Sequence, residues 1–276
     1  MTSLVKFSNY QYVDTLLDGK LKSSFPHEFN DPFDSRLYLS EEKKLSIAKK
    51  FNRSVEEVNF YFHMIQSTQI SCLIECDPFD FNKSMLMWAH YADSSKNLAV
   101  CFNKESIEKS EFSEALLKVQ YTKSPYSSEN TLSDYIDSRV HDNKSKRKVA
   151  LENHFKTKND LWRYENEIRI LNFAFMLKLK AQYSSEFEHF DSVNLIEILS
   201  LRYQNFSKLI ESGYEDTLFL DLKEKPQKVI IGYNFDEKNL PDLIQKCISR
   251  KISLSRLRLP TDFTDYKYEE DIIWRY

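Results

Sequence analysis

The sequence predicts an α+β fold in which helices are inserted into, and flank, a mixed and mainly antiparallel central sheet. Three observations carry this expectation. Short apolar or alternating runs of strand length recur along the chain, as at Gln69–Ile74, Leu98–Phe102 and Lys228–Ile231. Two longer charged stretches with helical spacing, near 41–68 and 125–160, interrupt them. No repeat, low-complexity linker or shift of composition divides the 276 residues, so they are read as a single domain, 1–276, with those stretches as insertions.

Residues 4–40 read as short extended pieces around turns, one at Leu16–Leu21, where Asp18-Gly19 ends a helix, and one at Asn30-Asp31-Pro32. From Glu41 to Gln66, Leu45, Ile47, Phe51, Val55, Val58, Phe60 and Phe62 recur among charged residues. This spacing predicts helix, broken into two near Asn52-Arg53-Ser54. Gln69–Ile74 is a buried strand, Ser84–Ala92 a short helix apolar enough to be buried on most sides, and Leu98–Phe102 and Leu116–Tyr121 are further strands. Residues 125–160 are polar, with a basic run at Lys144–Lys148 that reads as a solvated face of exposed helix and loop. Strands are expected at Glu167–Phe173, Leu218–Leu222 and Lys228–Ile231, and helices at Val193–Ile210 and Leu240–Ile248. Ile252–Leu259 alternates as a half-buried strand with Arg256 and Arg258 on one face, its phase slipping between Leu254 and Leu257 as a bulge allows.

Twenty phenylalanines and 16 tyrosines supply large rigid groups for a core. Glycine is scarce: an average usage of about 7% would give roughly twenty, and the chain has 3, Gly19, Gly213 and Gly232. Glycine-rich dinucleotide fingerprints, phosphate loops and serine nucleophile elbows are thereby excluded. A net charge of −3 without long single-sign runs disfavours nucleic acid as the main partner. No window approaches the ~20 apolar residues of a membrane span, and the first ten residues carry no basic-then-apolar leader, so no membrane partner and a cytoplasmic location are expected. Cys72, Cys76, Cys101 and Cys247 lie in or beside apolar runs, as buried reduced thiols do.

Three islands mix aromatic and ionisable residues. In His27–Asp34, the Asn30-Asp31-Pro32 turn is flanked by Phe29 and Phe33, expected to anchor it to the core, while Asn30, Asp31 and Asp34 supply polar groups. In Met87–Ala92, Trp88, His90 and Tyr91 fall within one helical turn and cannot all enter the same pocket. In Leu161–Ile170, an extended chain would put Tyr164, Asn166 and Ile168 on one face and Glu165, Glu167 and Arg169 on the other. Carboxylates so placed raise one another's proton affinity unless a cation compensates. A salt-bridged strand face and a catalytic carboxylate pair both fit this pattern.

Taken in order, Asn30–Asp34, Ser71-Cys72-Leu73, Met87–Ala92 and Trp162–Arg169 resemble a bacterial family known only as domain of unknown function 2971, and Lys228–Gly232 is similar to its closing strand. Ser95-Lys96-Asn97 stands where that family usually has His-x-Gly after the tryptophan helix. A more distant similarity is to ADP-ribosyltransferases, whose order of an early basic residue, a strand serine and a Glu-x-Glu strand maps onto Lys6 or Arg36, then Ser71, then Glu165 and Glu167. That resemblance implies an enzyme, of the toxin or phage-defence effector kind, that uses NAD as substrate and needs no metal. Glu167, Glu165 and Arg169 would be catalytic, and Trp88, His90, Tyr91, Asn30, Asp31, Ser71 and Lys6 would contact NAD, with a protein as possible acceptor. Two alternatives use the same residues: a non-catalytic nucleotide-sensing or protein-interaction module, and a metal-dependent nuclease built on Asp31, Asp34, Glu165 and Glu167.

Overall fold

A computed structural model of the chain describes residues 3–124, 126–183, 209, 211–260 and 267–276. Its strands are β1 (Ser3–Ser8), β2 (Lys20–Lys22), β3 (Gln69–Cys76), β4 (Leu98–Asn103), β5 (Leu116–Lys118), β6 (Gln120–Thr122), β7 (Thr157–Asn159), β8 (Glu167–Asn172), β9 (Phe219–Asp221), β10 (Lys228–Ile231), β11 (Ser253–Arg258) and β12 (Glu269–Trp274). Its helices are α1 (Val13–Leu17), α2 (Glu41–Phe51), α3 (Val55–Gln66), α4 (Phe81–Tyr91), α5 (Lys104–Glu108), α6 (Ser128–Val140), α7 (Lys144–Phe155), α8 (Ala174–Gln182) and α9 (Leu240–Arg250).

Eight strands form one sheet in the order β12-β11-β10-β4-β1-β3-β8-β5. Every neighbouring pair in it is antiparallel except β10–β11, which gives the expected mainly antiparallel sheet. The slip expected in β11 is present, as a register shift against β12 between Leu254 and Ser255. Residues 116–121, expected as one strand, divide: β5 joins the edge of the large sheet at β8, whereas β6 pairs with β7 in a separate two-stranded ribbon. The helix expected over 193–210 lies almost wholly outside the described residues.

The helices start and stop where the sequence places capping residues. Ser40 and Ser54 accept hydrogen bonds from the third residue inside α2 and α3, and Asn52 ends α2 in the left-handed conformation at φ 50°. Ser127 and Asn143 cap α6 and α7 in the same way. Residues 126–160 are less exposed than their polarity implies, because Leu132, Tyr135, Ile136 and Phe155 pack against α2, α3 and α8 in one cluster. The two insertions thus meet and share a core. The basic run stays at the surface, where Lys146, Arg147 and Lys148 pair with Asp137, Asp142 and Glu114.

Helix α4 buries only Ser84, Met87 and Trp88 and leaves Met85 and Leu86 exposed. This is the i, i+3, i+4 stripe of a surface helix, not burial on most sides. Beyond α4 the chain turns through Asp93, Ser94 and Ser95, all at positive φ (45°, 53° and 63°). These are conformations that L-residues adopt at a cost and glycine does not. The turn is held by amide bonds from Ser94 and Ser95 to Ala89 and Trp88 and by Asn234 N–H to the Ser95 carbonyl. A Cβ at Gly232 would stand 2.0 Å from that carbonyl oxygen, so one of the three glycines is required here by close approach.

A candidate site where two central strands part

Strand β1 pairs with β3 only from Ser3 to Val5, opposite Ile74–Cys76. Farther along β3, Ile70 pairs with Ser24 instead. The strands splay between these points, and a cavity of about 250 Å³ occupies the gap. Its lining comes from both faces of the sheet. Partners in an antiparallel register share a face. Glu167 lies opposite Ile74, which packs with Trp88 and the α4 side. Lys6 lies opposite Val100, which packs with α1 and α9 on the other side.

On the α4 side, the carboxylates of Asp34, Glu165 and Glu167 surround Lys158 Nζ at 3.4, 2.5 and 2.9 Å. Arg169 stands behind them, fully buried. Its Nε and Nη2 donate to Glu167, Nη2 to Asp34 at 2.6 Å, and Nη1 to Ser35 Oγ and the Phe155 carbonyl. Tyr91 Oη donates to Glu165 at 2.5 Å, and Tyr121 Oη accepts the Glu167 backbone N–H at 2.8 Å. Three buried carboxylates therefore face two buried cations.

The imbalance falls unevenly. Burial drives the Glu165 carboxyl above its usual range despite Lys158. Burial acts on Glu167 in the same direction, but the Arg169 and Lys158 charges outweigh it and hold that carboxyl well below the usual range. Lys158 stays charged, since Glu167 and Asp34 overcome the penalty of its burial. Burial raises the Cys72 thiol far above its ordinary value, so it is an inert wall residue, not a nucleophile.

The local backbone explains how both glutamates reach one wall. Asp160–Glu165 is a 3-10 helix, not a strand, and Asn166 follows it in the left-handed conformation at φ 44°. Asn166 donates from its side chain to the Glu75 carbonyl at 2.7 Å, which fixes the kink, and β8 begins at Glu167. Glu165, Glu167 and Arg169 do converge, through this kink and not through simple alternation. β8 is buried along its whole length, unlike an exposed salt-bridged strand face.

The 27–34 segment also departs from expectation. Phe33 is 72% exposed and lies against Tyr38, so it anchors nothing. Phe29 does pack on the core, and the second anchor is Asp34, 4% exposed, held by Arg169 and Lys158. Ser35 follows at φ 57°, fixed by Arg169 on its hydroxyl and by His154 on its carbonyl. That leaves Asn30 and Asp31 lining the cavity. A carbonyl only accepts, so His154 carries its proton on Nε2. Burial lowers its pKa to about 4.

A histidine whose folded pKa is depressed stabilises the fold fully above its unfolded pKa near 6.5 and loses that contribution as pH falls toward 4. At about 1.4 kcal/mol per pH unit of separation, acidification over that window removes ~3 kcal/mol. Urea unfolding at pH 7 and pH 4.5 measures it. His154→Gln, which keeps a donor for Ser35, is expected to show a flatter pH dependence, and an unchanged slope would refute the assignment.

Of the residues expected to contact a ligand, Lys6, Asn30, Asp31, Tyr91, Glu165 and Glu167 line the cavity. Arg169 supports it from behind. Three do not reach it. Trp88 is 1% exposed, packed edge-on against Phe7 at 5.1 Å and donating Nε1–H to the Pro78 carbonyl, as a core tryptophan does. His90 is exposed on the outer side of α4. Ser71 is fully buried, its hydroxyl held between Ser23 Oγ and the Lys22 carbonyl. Arg36, the alternative early basic residue, is spent on the carbonyls of Pro26, His27 and Phe29. Sequence reasoning missed Lys158 and Trp162. Trp162 lines the cavity, with Lys158 Nζ 5.1 Å from its ring centre, and continues through Tyr164 to His90 as a row of rings with centres 6.0 and 6.3 Å apart. Among the described residues, no group of three or more His, Cys, Asp or Glu is arranged to hold a metal ion, and no helix is long and apolar enough to cross a membrane.

Residues 87–170 match the family model described as "Protein of unknown function (DUF2971)". The match runs from α4 into β8 and takes in Tyr91, Lys158, Glu165, Glu167 and Arg169, while the Asn30–Asp34 turn lies outside it. No curated protein and no solved structure matches the chain.

Proposed function

We propose that the cavity binds NAD and transfers its ADP-ribosyl group, breaking the bond between nicotinamide and ribose. The observation that carries this reading is the pair of glutamates on one wall with proton affinities displaced in opposite directions. Such divergence separates the roles of two carboxylates in glycosidic chemistry. Nicotinamide leaves with the electron pair of the C1′–N bond, and positive charge develops on the ribose. Glu167, held ionised, supplies the fixed negative charge facing it. Glu165, with its proton affinity raised, takes the proton from the water or hydroxyl that attacks C1′. Tyr91 and Lys158 hold Glu165 in place, and Trp162 offers the exposed aromatic face that buried Trp88 does not.

The test is to incubate the protein with millimolar NAD and measure both nicotinamide release and the melting temperature. Release together with a rise in Tm is expected. A rise without release would leave a nucleotide-binding module, and the absence of both would remove NAD from consideration.

A further inference from the structure

The cavity is chemically two-ended. On the α4 side stand the carboxylates. On the opposite face of the sheet, Lys6 comes from β1, and Lys20 and Lys22 come from β2, where their i, i+2 spacing turns both the same way. Lys22 is paired with Glu28 at 3.2 Å. Lys6 is not paired in this way: its Nζ donates to the Cys72 carbonyl at 3.0 Å, which positions the ammonium in the gap and leaves its charge uncompensated. Among the described residues, no carboxylate lies within ion-pair distance of Lys6 or Lys20. The nearest to Lys20 by register is Asp221, opposite it on β9, whose Oδ1 accepts the Lys223 backbone N–H instead.

An ammonium half-buried at a cavity wall without a counter-ion is costly unless the occupant brings one. From this we infer that the gap between β1 and β3 is an anion subsite, and that the ligand spans the sheet with a phosphate or diphosphate at Lys6 and Lys20 and its reacting end at Glu165. The inference rests on the NAD reading for the identity of the reacting end, but not for the subsite itself. The subsite also limits the substrate class: a nucleoside without phosphate fills only the carboxylate end, where the excess charge is negative, and is not retained.

Pyrophosphate alone is the probe, since it binds the subsite without engaging the carboxylates. It is expected to raise the Tm of the wild-type protein at millimolar concentration and to compete with NAD, whereas nicotinamide riboside does not compete. Lys6→Gln and Lys20→Gln are each expected to weaken pyrophosphate and NAD binding by roughly tenfold, the loss typical of one charge-assisted hydrogen bond, and to flatten the salt dependence of both. Lys20 is exposed and makes no ion pair among the described residues, so Lys20→Gln keeps the test valid if Lys6→Gln folds poorly. Equal pyrophosphate binding by the wild type and a folded variant, or no pyrophosphate binding at all, overturns the subsite. If pyrophosphate binding is lost in the variants while the wild type releases no nicotinamide, the subsite stands and the NAD reading fails. If nicotinamide release and NAD affinity survive both substitutions, the reverse holds.

Discussion

Arg169→Met is expected to lower the unfolding free energy by ~3–5 kcal/mol, the range found when one partner of a buried ion pair is removed. The reason is local charge. Asp34, Glu165 and Glu167 are 1–4% exposed and share Lys158 and Arg169 as their cations. Without the guanidinium, three carboxylates face one ammonium, and Lys158 at 3.4 Å is the one cation that Asp34 keeps among the described residues. The Phe155 carbonyl and Ser35 hydroxyl lose their donor as well. Ser35 then keeps His154 on its carbonyl and its own hydroxyl bond to an Asp34 that has lost its guanidinium, so the 29–35 wall of the cavity loosens with the core. Arg169→Lys restores the charge but not the five-bond fork, and is expected to recover only part of the loss. Asp34→Asn in the Arg169→Met background removes one stranded charge and is expected to regain stability. Urea unfolding of the four proteins measures this, and an Arg169→Met variant within about 1 kcal/mol of wild type would show that the network contributes little.

Much of the fold is written in local pattern. The two helices of 41–66 with their break, the strands at 69–76, 98–103, 167–172 and 228–231, and the bulged β11 all follow from spacing and capping residues. What pattern does not carry is long-range. Residues 116–122 divide between two sheets because Lys118 and Gln120 pair with partners 50 and 37 residues away, a choice that propensity does not encode. The site shows the same division. Glu165, Glu167 and Arg169 stand out in the sequence because charged residues seldom cluster so densely beside a strand. Lys158 does not stand out, since it lies in a polar stretch among many surface lysines, and only β7 brings it under the glutamates. Trp88, expected to contact the ligand, gives way at the cavity to Trp162, for which no role was expected. The α4 stripe buries the first, and a surface 3-10 helix leaves the second half-exposed at the cavity. Ser71 is lost to the site because it is fully buried with its hydroxyl held by Ser23 and the Lys22 carbonyl, whereas its neighbour Cys72 lines the cavity.

Glu165→Gln is expected to reduce nicotinamide release or ADP-ribosyl transfer by about 10²–10⁴-fold, the contribution of a positioned general base, with NAD affinity changed far less. Glutamine's one oxygen can accept from Lys158 Nζ while its amide N–H donates to Tyr91 Oη, which accepts in place of donating, so the wall is preserved while the proton acceptor is lost. It also removes one of three carboxylates from a cluster with two cations, so stability is expected to hold or rise. Burial raises the Glu165 proton affinity, which means that its ionised form costs the fold stability once pH exceeds the unfolded carboxyl value near 4.5. Removing that charge relieves the cost at neutral pH. Glu167→Gln should behave in the opposite way. Its ionised form is held by Arg169 and Lys158, so the substitution removes the carboxylate that takes two of the guanidinium's five bonds, leaves Asp34 as its one ion-pair partner among the described residues and destabilises the protein at neutral pH, with a penalty that shrinks as pH falls below the ordinary carboxylate range. The two variants thus separate chemistry from structure. A Glu165→Gln protein that is at least as stable as wild type, binds NAD and fails to turn it over supports a base at position 165. One that retains full turnover would reduce the opposed proton affinities of the pair to a consequence of packing.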